Sequence, residues 1–239
     1  MTKYFFIFSF LLVISVGCSN NSNQPVIQKA DNNATSSKEP TIQEETIEDE
    51  YKEFIEFQVE KDHVRVDVQA IPILSQYLTA VKHRKSAVEE MKLEKLPITE
   101  QPIYLLEFSC KKELCSYLLL SQNKDKRSYL VADLARYENV IPSPDQTKFI
   151  IEFSRSSDNL QSGHHLIAFD IKGWSPLLLQ TNTGNSDILN YHWPYKEVEW
   201  LDESSLSIKV SDTDSQPTKE NKDIENKTIQ QTTILHVKE

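Results

Sequence analysis

Cys110 and Cys115 carry the plainest chemistry in this chain. They flank Lys111-Lys112-Glu113-Leu114 between two apolar stretches, which would make them facing positions at the end of a hairpin. Such positions reach disulfide distances, and closing so short a loop contributes roughly 2 kcal/mol. Redox motifs put two residues between their cysteines, whereas this pair has four between them. A disulfide is therefore the expectation, weighed against two free thiols or a metal or redox pair. The histidines His63, His83, His164, His165, His192 and His236 lack the helical three- or four-residue spacing of zinc hydrolases. His164 and His165 are neighbours, so on a strand they point to opposite faces. No metal ligand set is expected. A Gly-x-Ser-x-Gly elbow and a phosphate loop are missing from a chain with only four Gly. Spacing does not single out an acid/base pair among the 36 carboxylates, so no catalytic residue is assigned. Tyr191, Trp193 and Tyr195 alternate and would share one face if extended. They form a candidate binding strip for glycan, peptide or protein. The alternative, favoured because large aromatics are usually buried, is that they close one end of the domain.

The elements that must position these residues read mainly as strands. Phe57 and Val59 precede Lys61-Asp62, and Val64, Val66, Val68 and Ala70 alternate with polar residues, which predicts a hairpin. Ile71 to Val81 switches to helical spacing with Pro72 in the first turn, and Ser86 to Leu96 predicts a second short helix ended by Pro97. Strands are then expected near 103–109, 115–121, 127–133, 147–154, 164–171, 176–180, 196–201, 205–210 and 231–237. The fold class is mainly β: antiparallel meanders, partial-propeller-like or stacked sheets, after one or two short helices. Residues 211–230 form a polar insert without aromatics, expected to be disordered.

The N-terminus predicts where the domain is found. Lys3, an apolar run and Gly17 describe an export signal over residues 1–17. The stretch from Tyr4 to Gly17 is shorter than the roughly 20 residues a membrane span needs. Ser15-Val16-Gly17-Cys18 resembles the lipobox of bacterial lipoproteins, with Ser15 where Leu is commoner. The resemblance implies a covalent diacylglycerol on Cys18, no other cofactor, and a lipid anchor at the extracytoplasmic face of the cell membrane. Residues 18–50 read as a polar tether of about 30 Å root-mean-square span, ending in the acidic run Glu44, Glu45, Glu48, Asp49 and Glu50. Residues 51–239 make up the β-rich domain.

A second resemblance lies within roughly residues 100–210. Ser143-Pro144-Asp145-Gln146 with Thr147–Ile151 resembles the turn-plus-strand of TolB-type β-propeller repeats, with Gln146 where the family has Gly. Leu166–Gly173 and Val198–Leu206 are similar to further blade strands. The net charge of −10 and pI near 5.2 argue against nucleic acid, whose phosphates require clustered Lys and Arg. The acidic surface also gains nothing from anionic headgroups, so the lipid alone would hold the protein at the membrane. A composition rich in Lys, Asn, Ile and Glu and poor in Gly suggests a Gram-positive envelope. The expected role is non-catalytic binding, with a protein partner at the cell envelope. The alternatives are a hydrolase with an unrecognised carboxylate site and a ligand-capture protein serving a transporter.

Overall fold

The computed structural model describes residues 25–30, 39–47, 50–99, 101–123, 128–157, 160–181, 195–211 and 230–238. Cys18, Tyr191, Trp193, the leader and residues 212–229 of the polar insert lie outside them. The first sheet has the order β1-β4-β3-β2, built from β1 (Ile27–Lys29), β2 (Thr41–Ile47), β3 (Glu50–Val59) and β4 (Asp62–Asp67). The expected hairpin is β3–β4, with Phe57 opposite Val64. Two runs of the segment read as tether are strands. Ile27 is fully buried against Val66, and Ile42 pairs with Ile55. Glu44 and Glu45 of the acidic run lie in β2: Glu45 pairs with Arg65 at 2.7 Å, and the Arg65 guanidinium lies 4.2 Å over the Phe54 ring. Sparse apolar residues such as Val26 and Ile27 gain enough when a preformed sheet edge receives them, which composition averaged over the segment hides.

Two helices follow, α1 (Pro72–Ala80) and α2 (Arg84–Glu89). Asp67 Oδ1 accepts the backbone N–H groups of Gln69 and Ala70 at 3.0 Å, turning the chain into α1, where Leu74 and Leu78 are buried. The second helix is shorter than its expected range, Ser86 to Leu96. It ends at Glu89, and Lys92–Lys95 forms β5 along β6 (Ile103–Lys111). Here pairing with a neighbouring strand overrides local propensity, and Met91 and Leu96, which flank β5, are buried.

The remaining strands are β7 (Leu114–Ser121), β8 (Tyr129–Pro142), β9 (Lys148–Ser157), β10 (Leu160–Asp170), β11 (Ser175–Thr181), β12 (Tyr195–Trp200), β13 (Ser205–Ser211) and β14 (Gln230–Lys238). With β5 and β6 they form one antiparallel ribbon of ten strands, β12-β13-β14-β11-β10-β9-β8-β7-β6-β5. The ribbon folds at two shared strands. β8 pairs with β7 through Tyr129–Ala135 and with β9 through Arg136–Pro142. β11 pairs with β10 through Ser175–Leu177 and with β14 through Leu178–Thr181. The C-terminal strand therefore inserts between β11 and β13.

These folds stack the sheets face to face over three apolar layers. The first core joins Ile55, Val64 and Val66, the helix residues Leu74, Leu78 and Val88, and one face of β6 and β7 (Tyr104, Leu106, Leu118). The second joins the other face (Ile103, Leu105, Tyr117, Leu119) to Phe149, Ile151, Phe153 and Phe169. The third lies between Ile150, Leu166 and Ala168 and the last sheet's Leu206, Ile208 and Leu235. Trp200 Nε1 donates to the Ile141 carbonyl at 3.0 Å, tying β12 back across that layer to β8. The architecture is mainly β and antiparallel, with two short helices.

The Ser143–Gln146 turn forms although Gln146 takes φ 59°, a backbone that favours glycine. Ser143 Oγ donates to Asp145 Oδ1 at 2.6 Å, and Thr147 Oγ1 donates to Asp145 Oδ2 at 2.7 Å. Burial alone would raise the Asp145 carboxyl. The Ser143 and Thr147 hydrogen bonds and the Lys148 ammonium outweigh it and hold the group at about 2. Leu134 in β8 is a second strained position. Its φ of 48° costs a residue with a side chain roughly 1–2 kcal/mol, and it is 51% exposed. It lies in the half of β8 where pairing with β7 slips register twice.

Candidate functional site

Cys110 and Cys115 close the β6–β7 hairpin, with their Sγ atoms at bonding distance, 2.10 Å. A register shift between Phe108 and Lys111, with Ser109 and Lys112 at φ 54° and 59°, brings the two arms together. The Glu107 carboxylate lies near both sulfurs, but bonded cysteines offer no thiolate to a metal. Glu107 has other work: Oε1 accepts from Lys92 Nζ at 2.8 Å and Oε2 from the Tyr117 hydroxyl at 2.9 Å. Burial, reinforced by this carboxylate, pushes the Tyr117 phenol up, while the Tyr137 N–H it accepts acts the other way. Thiol titration of the denatured, unreduced protein should find no reactive thiol at Cys110 or Cys115. Two equivalents at these positions would overturn the disulfide.

Of the three aromatics read as a binding strip, Tyr195 alone is described, and it is buried at 7% exposure in the third core. At Tyr195 the favoured packing alternative holds rather than an exposed strip: the ring faces the third core and meets the His164 ring at a centroid distance of 5.5 Å. Burial, then the Glu152 charge, pushes its phenol up, so it stays neutral.

Beneath Tyr195 the fold assembles a polar group that spacing alone does not reveal. His164 Nδ1 lies 2.6 Å from Glu152 Oε1, with both side chains largely buried. Ser154 sits directly opposite His164 in the β9–β10 register. A carboxylate orienting an imidazole beside a hydroxyl is the arrangement of a hydrolytic triad. Here, however, the Ser154 hydroxyl donates to Glu138, and the residue is 1% exposed. Substrate cannot reach that oxygen, and the group acts as a satisfied polar lock between strands. No sequence signal links Glu152 to His164, because the pairing depends on register across β9 and β10.

On the opposite face, His165 and Ile167 line a cleft of about 310 Å³ together with Arg155 and with Leu130, Val131, Ala132 and Asp133 of β8. Arg155 Nη2 donates to the Asp133 carbonyl at 2.6 Å, and Asp133 Oδ1 accepts from the Ser116 hydroxyl at 2.6 Å. Burial, then the Arg155 charge, lowers the His165 pKa, which keeps that imidazole neutral near pH 7. His164 and His165 thus face opposite sides, as their adjacency requires. Aliphatic walls with a few polar groups are the make-up of a small-ligand site. No family model, curated protein or solved structure matches the chain.

Proposed function

We propose that this protein is a lipoprotein anchored at the extracytoplasmic face of the cell membrane by a diacylglycerol on Cys18, with its stacked-sheet domain serving as a non-catalytic binding module. The observation that carries this reading is Ser15-Val16-Gly17-Cys18 at the end of a short apolar leader. Two acyl chains suffice for stable anchoring, where one gives reversible binding. The Cys110–Cys115 pair at bonding distance suits an oxidising compartment. Among the described residues, no helix is long and apolar enough to cross a membrane. The resemblance of residues 143–151 to TolB-type repeats supports an interaction role for a protein partner at the envelope.

Crosslinking in intact cells followed by pull-down, comparing the native chain with Cys18→Ala, tests this. The native chain should fractionate with membranes and recover a discrete partner. Cys18→Ala should leave the membrane fraction and lose that partner. Equal membrane retention of both forms would overturn the anchor, and recovery of no partner would overturn the adaptor role. The cleft between β8 and β10 favours a second reading, capture of a small ligand.

A further inference from the structure

The closed end of the β6–β7 hairpin gathers three groups that can ligate a metal. A Glu107 carboxylate oxygen and the Sγ atoms of Cys110 and Cys115 all lie within 4.8 Å of one another. While the sulfurs are bonded to each other they hold no metal. With the bond opened, the same atoms are two thiolates facing a carboxylate. Cys110 is exposed and Cys115 is buried, so Cys110 Sγ is the sulfur that an incoming thiolate reaches. Backbone pairing brackets the two cysteines, Phe108 with Ser116 on one side and Lys111 with Leu114 on the other. That frame persists when the bond opens.

Ligand type and charge decide the class of ion. Zinc takes thiolate at about 2.3 Å and carboxylate at about 2.1 Å, which sets tetrahedral ligand atoms roughly 3.5–4 Å apart. The three atoms already occupy a volume of that size, and side-chain rotation separates the freed sulfurs. Two sulfurs and one oxygen suit a cation of the zinc type and not a hard cation that takes oxygen alone. Glu107 accepts from Lys92 Nζ through Oε1 and from the Tyr117 hydroxyl through Oε2. A carboxylate has about four lone-pair sites, so each oxygen keeps one for a metal. Two thiolates and a carboxylate carry three negative charges, which a divalent cation and the Lys92 ammonium neutralise. The fourth position stays open to water, as in zinc sites with three protein ligands.

We propose that reduction of the Cys110–Cys115 bond by a dithiol converts this hairpin end into a binding site for a zinc-type divalent cation, held by Cys110 Sγ, Cys115 Sγ and a Glu107 oxygen. The reductant's first thiolate attacks Cys110 Sγ, the Cys110–Cys115 bond breaks, and Cys115 leaves as a thiolate. The reductant's second thiolate then displaces Cys110. The reductant ends as a disulfide, having lost two electrons, and the protein ends with two thiols. Their protons pass to solvent as the cation binds. This site does not depend on the lipid anchor and goes beyond the binding-module reading.

The full chain carrying Cys18→Ala, in which no third thiol contributes, tests the proposal. It is reduced with dithiothreitol, freed of reductant under argon and titrated with zinc against a chromogenic chelator, beside the unreduced chain. The reduced chain should bind one equivalent of zinc at least about a hundredfold tighter than the oxidised chain, which lacks two of the three ligands. Cobalt in place of zinc should give a sulfur-to-metal charge-transfer band, which a purely structural effect of reduction does not produce. Glu107→Gln should weaken zinc binding roughly tenfold or more. Cys110→Ser, at an exposed position, should weaken both zinc binding and the charge-transfer band, and it keeps the test decisive if Glu107→Gln does not fold. Equal zinc affinity of the two redox forms, or no binding by the reduced chain, would overturn the site. Zinc binding unchanged in Glu107→Gln would overturn the three-ligand set. A charge-transfer band unchanged in Cys110→Ser would place the metal elsewhere and overturn the proposal.

Discussion

Phe153→Ala lowers the stability of the domain by about 3–5 kcal/mol, the range for deleting a large aromatic from a packed interior. Phe153 is fully buried in the second core, with the Tyr117 ring at 5.2 Å and the Tyr137 ring at 6.2 Å. It pairs with Tyr137 on one side and His165 on the other, so the cavity would open between two strands held in register by backbone hydrogen bonds. Neither neighbour can close that space easily. Tyr117 is tied to Glu107 through its hydroxyl, and Tyr137 is buried enough that its phenol is pushed up to about 12. For a domain of this size, each kcal/mol shifts the midpoint by about 2–4 °C, so thermal unfolding should fall by about 6 °C or more. Phe153→Leu should recover much of the loss. A drop below about 1 kcal/mol for Phe153→Ala would mean that the second core collapses freely, contrary to the rigid stacking described.

Tyr195→Ala costs about 3 kcal/mol, and Tyr195→Phe recovers most of it. The reason is the packing of this ring in the third core against His164 of the Glu152–His164 pair. Removing the ring opens a cavity and admits water to a polar lock that is now largely buried. Denaturant midpoints of the two variants measure this directly. The outcome separates two roles for the residue. A binding-strip tyrosine would lose partner recovery in the crosslinking experiment with stability unchanged within about 0.5 kcal/mol, as at ordinary surface sites. A core tyrosine would lose stability, and Tyr195→Phe would keep partner recovery intact.

Much of the β domain is legible in the chain, because strand formation leaves a local trace. Alternation of apolar and polar residues at 57–70 marks β3 and β4, and the runs near 103–109, 115–121 and 147–154 lie on β6, β7 and β9. The Ser143–Thr147 turn is also local, since its side chains bond to one another and to the turn's own backbone. Alternation fades where a strand is buried on both faces. Phe149, Ile150 and Ile151 are all fully buried because β9 lies between two cores. There the sequence marks a strand but not which residue faces which core. A similar ambiguity hid β5, whose short run Lys92–Lys95 becomes a strand only because β6 offers an edge.

The candidate site was less legible than the fold. The spacing of Cys110 and Cys115 sufficed for their pairing, because a hairpin of that length brings its ends together whatever surrounds it. Glu152 with His164, and Arg155 with His165 and Leu130, depend on register and on β8 crossing from one sheet to the next. Residues far apart in sequence meet only when long-range pairing is complete, and a one-residue slip would send each side chain to the other face. What the sequence alone determined here is the run of antiparallel strands and the disulfide hairpin, both set by residues within a few positions of one another. The stacking of the sheets, the burial of Tyr195, the polar lock and the cleft were decided by tertiary structure, because each requires two faces that meet only after the ribbon folds at β8 and β11.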